Sequence, residues 1–250
     1  MRVFVITGAG VSAESGIPTF RGKGGYWRNL DPAKLATREA FARDPKLVWE
    51  WYRERRQHIR NARPNAAHEA IARLAQNTDE FLLVTQNVDD LHERAGVSPE
   101  KMVQIHGDIF VTRCSRCDFK RHDYEHPPSP RLRRTSEQEH EEEEGDVIPR
   151  CAECGALMRP GVVWFGEQLP SSELQRVETY LRRGACHVVI VAGTTATFGY
   201  IVDWALRASS GGELIEVNPE ETPLSQFATQ RAREPAAIAM PQIVDQIISS

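Results

Sequence analysis

Gly8-Ala-Gly-Val-Ser-Ala-Glu-Ser-Gly-Ile-Pro-Thr-Phe-Arg21 brings three glycines, two serines and a proline into fourteen residues. Directly before it runs Arg2-Val-Phe-Val-Ile-Thr7, short, apolar and rich in β-branched residues, which reads as a strand buried on both faces. A strand that breaks into Gly8-x-Gly10-x-x-Ala13 and enters a polar helical turn has the shape of a dinucleotide site. The first glycine allows a tight turn and the second lets the backbone approach a pyrophosphate. The small Ala13 lets helix and strand pack closely. Amides at the start of that helix, with Ser12 nearby, would hold the phosphates. Gly16-Ile-Pro18 stops the helix early, and Thr19-Phe20-Arg21 leads into a glycine-rich segment, Gly22-Lys-Gly-Gly25-Tyr-Trp-Arg28. Where a dinucleotide fold continues into a long helix, this chain is expected to insert a flexible flap with an aromatic and an arginine.

Gly-Ala-Gly-x-Ser-x-Glu-Ser-Gly-Ile-Pro-x-Phe-Arg resembles the signature of the sirtuins, the NAD-dependent protein lysine deacylases.

With 250 residues there is room for one large domain with a small one inserted. A formal net charge of -4 makes no electrostatic case for nucleic acid, so no direct nucleic-acid binding is expected. No run approaches a membrane span and no signal-peptide pattern precedes the first strand, so a cytoplasmic chain without a membrane partner, favoured as a monomer, is expected. Four of the five cysteines form two knuckles, Cys114-Ser-Arg-Cys117 and Cys151-Ala-Glu-Cys154. Four thiolates at this spacing suit one tetrahedral structural Zn2+, closed to catalysis, whereas a redox dithiol needs only one pair. Between the knuckles, His126-Pro-Pro-Ser-Pro130, Arg131–Arg134 and the acidic run Glu137–Glu144 cannot build a core and read as a flexible loop over about 126–146.

Along the chain, Asp31 to Arg43 is helical in pattern, and Asp44-Pro45 opens a helix from Leu47 to about Asn61. On its wheel, at about 100° per residue, Leu47, Val48, Trp51, Tyr52 and Ile59 share an arc with Arg55 at its centre. A charge on the face meant for burial needs a partner or a ligand. Snorkelling or a structural carboxylate are the plainer alternatives. Pro64 to about Ala75 is a further helix, and Phe81–Thr85 and Met102–Ile105 are strands, ending in Gln86-Asn87-Val88-Asp89-Asp90 and His106-Gly107-Asp108. Leu157–Phe165 returns to the main domain and ends in Gly166-Glu167. Ser171 or Ser172 caps a helix to about Arg183. His187–Ala192 is a buried strand breaking at Gly193-Thr194-Thr195, followed by a helix from Tyr200 to Ser209. Glu213–Val217 is a strand ending at Asn218-Pro219, and Pro241–Ile248 is helical. Alternating strands and helices predict an α/β, doubly wound, parallel, Rossmann-like sheet over 1–109 and 158–250. The expected insertions are a cofactor loop over about 18–37, helices over about 33–62 and a small zinc-binding domain over 110–157.

Four strand ends carry polar or glycine groups, and in a parallel sheet all four share the edge where such folds bind ligands. Taken singly, His106 before glycine reads as a turn residue, Asn87 and Asp89 as helix caps, and Asn218-Pro219 as a strand exit. Taken together, in the order of the resembled family, they favour a site. The resemblance extends through these ends, Gln104-Ile-His106-Gly, both knuckles and Val163-Trp-Phe-Gly-Glu167, although the family's Gly-Thr-Ser is here Gly193-Thr194-Thr195.

The resemblance implies NAD as co-substrate, with nicotinamide leaving as an acyl-lysine carbonyl oxygen attacks the anomeric carbon. His106 is implied as general base on a ribose hydroxyl, which suits an imidazole at neutral pH, with Asn87 and Asp89 orienting the nicotinamide, the ribose and a water. Phe20 would screen the reactive carbon and Arg21 hold the flap. Cofactor contacts are implied for Gly8, Ala9, Gly10, Ser12, Ala13, Gln86, Val88, Gly193, Thr194, Thr195, Asn218, Pro219 and Ala236. The products implied are free lysine, nicotinamide and acylated ADP-ribose.

Tyr52 and Arg55 resemble the Tyr-x-x-Arg pair of the sirtuin class that removes negatively charged acyl groups, and Ala36 its small residue leaving room for a longer chain. A guanidinium inside an apolar arc can fork onto a carboxylate while a phenol adds a hydrogen bond. Succinyl-, malonyl- or glutaryl-lysine is therefore expected ahead of acetyl-lysine. The acylated peptide would lie along Val163, Phe165, Gly166 and Glu167 as an added strand. Three other readings stand beside this one. A mono-ADP-ribosyltransferase shares the bond cleavage with another acceptor, and a zinc-ribbon binding module would make the glycine turn merely structural. An NAD dehydrogenase is disfavoured, because no acidic residue ends a second strand about 20 residues after the glycines.

Overall fold

The computed structural model describes residues 1–19, 31–123 and 148–249. Phe20, Arg21, the glycine-rich flap and the loop expected over 126–146 fall outside them. Uninterrupted apolar runs build the main sheet, because a strand covered on both faces has no use for polar alternation. β1 (Arg2–Thr7) is buried along its whole length, as is β7 (Val188–Ala192), and β2 (Glu80–Thr85) is buried after its first residue. β1 pairs in parallel with β2, Arg2 opposite Glu80 through Thr7 opposite Thr85, and with β7, Val3 opposite Val188 through Thr7 opposite Ala192. β3 (Met102–Gln104) extends the sheet beyond β2. β8 (Glu213–Val217) and β9 (Gln230–Ala232) extend it beyond β7. The resulting order, β3-β2-β1-β7-β8-β9, reverses direction of growth between β1 and β7. In open α/β sheets that reversal opens a crevice beyond the strands' C-terminal ends.

Successive side chains of β1 divide between two cores. Val3 and Val5 join α5 (Ala66–Gln76) and α9 (Ala236–Ser249) on one face. Phe4 and Ile6 join α7 (Ser171–Leu181) and α8 (Gly199–Ala208) on the other. A single turn, α1 (Gly10–Ala13), follows β1, and α6 (Leu91–Arg94) lies between β2 and β3. The insertion expected after the glycine stretch is α2 (Pro32–Leu35), α3 (Arg38–Arg43) and α4 (Pro45–Asn61). Asp44 caps α4 by accepting from the Leu47 amide at 3.0 Å, with Pro45 at the first helical position. Asn65 and His68 form a reciprocal capping box on α5, which draws the His68 ring inward.

A second sheet of three antiparallel strands carries the cysteines: β5 (Lys120–His122), β4 (Gly107–Cys114) and β6 (Met158–Val162), in that order. The sequence reading returned the chain to the main domain at Leu157. Instead β6 pairs with β4, Met158 opposite Cys114 and Val162 opposite Gly107, and only the segment after it approaches the main sheet's edge. Three further differences have local causes. Pro170, not a serine, occupies the N-cap of α7, and no side chain caps it. α9 starts at Ala236 and carries Pro241 inside, where the ring removes the bond its amide would have made to the Ala237 carbonyl. β9 is a three-residue, largely exposed edge strand without hydrophobic alternation to announce it.

Arg56, only 7% exposed, braces α4 against the small sheet. Its guanidinium donates to the Ile109 carbonyl at 2.6 Å, to Asp123 at 3.0 Å, and to the Val111 carbonyl and Thr112 hydroxyl at 3.1 Å each. Burial lowers its pKa, against the pull of Asp123. Such a charge is tolerable because four of its five N–H donors find acceptors and one of these is a carboxylate. Arg56→Met is expected to lower stability by on the order of 3 kcal/mol, because Asp123 and two carbonyls of β4 lose their donor; urea unfolding of both proteins measures it, and an unchanged midpoint would show the brace to be idle.

Candidate functional site

Level pairing places the C-terminal ends of the main-sheet strands side by side. Thr7 faces Thr85 and Ala192, Gln104 faces Thr85, and Val217 faces Ala192. Beyond them opens a cavity of about 750 Å³. Every described residue that the sequence reading named for cofactor, catalysis or acyl substrate lines it, from Gly8 and Asn218 to Tyr52 and Arg55.

At the crevice the turns after β1 and β7 interlock. The Gly8 amide donates to the Ala192 carbonyl at 3.1 Å and the Gly10 amide to the Gly193 carbonyl at 2.8 Å. Gly193 has φ +61, and a Cβ there would stand 2.4 Å from the Val11 nitrogen. The Gly10, Val11 and Ser12 amides are all donated inside the protein, so the expected anion-binding helix start is narrower than the glycine pattern suggests. Gln86 donates to the Thr194 hydroxyl at 2.9 Å and Asn218 to the Thr194 carbonyl at 2.8 Å, which fixes the Gly193–Thr195 turn from both sides. Thr195, Pro219 and Ala236 complete this end of the cavity.

Deeper in, the Ser12 hydroxyl works as an organiser. It donates to Asp89 Oδ2 and accepts from Asn87 Nδ2, both at 3.0 Å, and its Oγ lies 3.4 Å from His68 Nε2. Asp89 also accepts from the Leu91 amide at 3.1 Å. Burial pushes Asp89 up to about 6, although the Leu91 amide and Ser12 pull it down. His68 is brought down to about 4, by burial first and then by Arg94. The His92 ring packs at a tilt 4.7 Å from that of His68, bonds Thr7 at 3.1 Å, and has its pKa driven well below its ordinary value by burial.

His106 stands where β3 gives way to β4. Its Nδ1 lies 3.0 Å from the Gln86 carbonyl, which can only accept, so this nitrogen carries the proton. Nε2 therefore presents its lone pair to the cavity side, 2.7 Å from the Tyr200 hydroxyl. Burial lowers the His106 pKa, against the Gln86 bond that raises it. Tyr200 and Phe198 also line the cavity and escaped the sequence reading. Two aromatics around Gly199, just after a strand-end glycine, were the available signal.

At the end of the cavity beside α4, Val163–Glu167 is stitched in place. The Val163 amide donates to the His106 carbonyl at 2.8 Å and the Phe165 amide to the Ala36 carbonyl at 2.9 Å. Glu167 is gripped by Arg159 through two bonds of 2.5 and 2.9 Å, by the Trp164 amide at 2.9 Å and by Arg38 at 2.7 Å. Burial would raise this carboxylate, but the Arg159, Trp164 and Arg38 donors outweigh it and hold it at about 2. Its role is to clamp the loop on which Phe165 and Gly166 sit. Tyr52 is 1% exposed, accepts from the Trp164 indole at 2.9 Å and is pushed up to about 12 by burial. Arg55 lies one turn on, 5.0 Å from the Trp51 ring, with its pKa lowered by burial against the pull of Tyr52 and Asp89.

The four knuckle sulfurs lie within 4.8 Å of one another, Cys114 to Cys154 at 3.5 Å and Cys117 to Cys151 at 3.6 Å. A tetrahedron of thiolates at the usual zinc–sulfur distance has edges of about 3.8 Å, so the donor set and its geometry fit Zn2+. The Arg116 and Cys117 amides donate to the Cys114 sulfur at 3.3 and 3.4 Å, as suits a thiolate ligand. Four protein ligands leave no open position, and Cys186 lies elsewhere, in the core under β1.

A doubly wound sheet with a cavity at its reversal point and a four-cysteine module beside it defines a dinucleotide-binding enzyme fold with a structural metal insert. The profile of the Sir2 family matches residues 8–198, and the chain belongs to that family. It is 42% identical to the NAD-dependent protein deacylase of Aquifex aeolicus, over 99% of this chain and 95% of that one. It is 40% identical to the mitochondrial NAD-dependent protein deacylase sirtuin-5 of Xenopus tropicalis, over 97% of this chain and 81% of that one. Among solved structures, a Sir2 homolog–NAD complex superposes with a TM-score of 0.84 at 42% identity, covering 99% of this chain and 90% of that one. No helix among the described residues is long and apolar enough to cross a membrane.

Two outcomes follow from this geometry. Chelation of the metal is expected to unfold the β4–β6 module and lower overall stability, seen as lost protection of Met158–Val162 amides in hydrogen exchange; chelation that blocked turnover with protection intact would contradict a structural site. His68 stays neutral down to about pH 4 in the fold, but takes a proton near 6.5 when unfolded. Acid therefore favours the unfolded chain between those limits, so stability falls as pH drops from about 6.5 towards 4, by at most about 1.4 kcal/mol per unit for one imidazole. Asp89, raised to about 6, contributes the opposite slope, losing stability as pH rises from about 4 to 6. Denaturant midpoints at pH 7 and 5 for the parent and His68→Asn are expected to show the smaller loss in the variant.

Proposed function

We propose that this protein is an NAD-dependent protein deacylase that removes acyl groups from lysine side chains and favours those ending in a carboxylate. The observation that carries the reading is the continuity of one cavity from the Gly8–Gly10 and Gly193–Thr195 turns, past Asn87, Asp89 and His106, to Tyr52 and Arg55. A dinucleotide laid along it has its pyrophosphate beside the interlocked turns and its adenosine end toward Asn218, Pro219 and Ala236. Its nicotinamide ribose then reaches His106. The acyl-lysine enters along Val163–Gly166, with its acyl end toward α4 and the Ala36 backbone.

Each side chain then has a task that its environment suits. Asn87 and Asp89, held in register by Ser12, orient the nicotinamide, the ribose and a water. As the acyl oxygen attacks the anomeric carbon, nicotinamide leaves with the bonding pair. His106, neutral and with its Nε2 lone pair toward the cavity, takes the proton of a ribose hydroxyl, whose oxygen then attacks the amidate carbon. That proton goes on to the lysine nitrogen, the amine leaves, and a water adds to the remaining cation to give the acylated ADP-ribose. Arg55 receives the acyl carboxylate, and Tyr52, whose oxygen already accepts from Trp164, has its hydrogen left to donate. Cys114, Cys117, Cys151 and Cys154, closed around their metal, hold the module that carries the clamped loop. A cytoplasmic monomer acting on protein lysines fits this reading.

The test compares one peptide bearing succinyl- or acetyl-lysine, with and without NAD, by mass spectrometry. Both acyl losses should need NAD and release one nicotinamide each, with succinyl lost faster. Arg55→Met is expected to lower kcat/KM on succinyl-lysine about 10- to 100-fold, as for losing a charge-assisted hydrogen bond, and to leave acetyl-lysine nearly unchanged. Equal losses on both peptides would remove the carboxylate assignment and leave deacylation standing.

A further inference from the structure

The Nε2 lone pair of His106, the one position from which this imidazole can accept a substrate proton, is already held by the Tyr200 hydroxyl at 2.7 Å. The direction of that bond is fixed by chemistry: Nδ1 donates to the Gln86 carbonyl, so neutral Nε2 accepts and the phenol donates. Nor is Tyr200 a side chain hanging loose over the cavity. It sits in the first turn of α8, stacks on Phe198 at 5.5 Å and 14°, and packs against Trp204 at 5.0 Å. Trp204 is 3% exposed and is itself tied to Glu178 at 3.1 Å. The Phe198 ring also meets the His106 ring edge-on at 5.8 Å. The phenol oxygen keeps its lone pairs on a residue that lines the same cavity as His106.

We propose that Tyr200 is a catalytic residue that relays the proton between the ribose hydroxyl and His106, an inference that rests on the deacylase reading above. The ribose O–H bond breaks toward the phenol oxygen while the phenol O–H bond breaks toward Nε2. The ribose oxygen forms its bond to the amidate carbon, and the carbon–nitrogen π pair returns to the lysine nitrogen. One proton moves in net from substrate to imidazole, and the phenol is regenerated. No free phenolate is needed, which suits a hydroxyl that burial pushes up to about 12. The bond to Nε2 also favours the neutral imidazole, so the base stays unprotonated further into acid than it would alone.

Tyr200→Phe removes the relay oxygen and keeps the ring stack. Exchange of labelled nicotinamide into NAD in the presence of acylated peptide reports the first bond cleavage, which needs no base, and peptide deacylation reports the whole sequence. The variant is expected to exchange within twofold of the parent and to deacylate about 10- to 100-fold more slowly. The acid limb of its kcat profile should move to higher pH, because His106 loses a donor to its neutral form. Unchanged deacylation with an unchanged acid limb would make Tyr200 a bystander. Faster deacylation or tighter NAD binding would make it a cap that substrate displaces, and equal loss of exchange and deacylation would make it structural. Any of these three overturns the relay. A parent protein showing neither exchange nor NAD-dependent deacylation would instead overturn the function on which it rests.

Discussion

Gly10 and Gly193 interlock so closely that neither turn admits a side chain, and the site is built around that contact. The sheet grows outward in both directions from β1 and β7, and these two turns cross at the seam. Gly10 has no room for a Cβ, which would lie 2.8 Å from the Gly193 Cα, and Gly193 has none toward Val11. Neither turn could keep its path with a larger residue. Ala196, only three residues on, is the one non-glycine among the described residues with positive φ, at +48. Strain gathered at a ligand-binding edge is tolerated where surrounding bonds over-determine it, and here Thr194 supplies them, through Gln86, Asn218 and the Ala196 amide.

The second organising fact is that α4 belongs to both halves of the protein. One side chain, Arg56, is locked into β4 of the small sheet, while Tyr52 and Arg55 line the cavity of the large one. The loop Val163–Glu167 makes the same connection in reverse, leaving β6 and bonding to His106 and Ala36. A closed zinc site therefore matters to the chemistry without touching it. Bound by its four cysteines, the metal would set the shape of the module, the module fixes β4 and β6, and these two strands hold His106 at the start of one and Val163–Glu167 at the end of the other.

What the sequence could reveal follows from how local each signal is. β1, β2 and β7 are nearly continuous apolar runs that need no partner to be recognised, and β8 keeps enough of one despite Glu216, so the sheet followed from them. The cysteine knuckles carry their own spacing. Ser12, Asn87 and Asp89 could each be named, yet the hydroxyl that joins them crosses from α1 to the end of β2, and no periodicity encodes that contact. The wheel of α4 marked Arg55 as out of place because it counts angles. It passed over Arg56, more deeply buried, because the carbonyls that satisfy it come from β4, far along the chain. Tyr200 was hidden for the same reason. In the first turn of a helix an aromatic reads as packing, and only the fold brings its hydroxyl to His106.

Two carboxylates in one cavity show how burial alone does not decide charge. Asp89 is given one amide and one hydroxyl, too few to offset its desolvation, and it titrates near 6. Glu167 meets two guanidinium groups and an amide, and is held ionised down to about 2. The donor counts assign different work. A carboxylate that is always charged and fully gripped can only hold, and it holds the loop beside which the acyl chain would pass. A carboxylate poised near neutrality, lodged with neutral histidines and a hydroxyl, sits in surroundings that can take up or release a proton. The chain thus separates rigidity from responsiveness with the same functional group, by the number of donors its backbone turns bring to each.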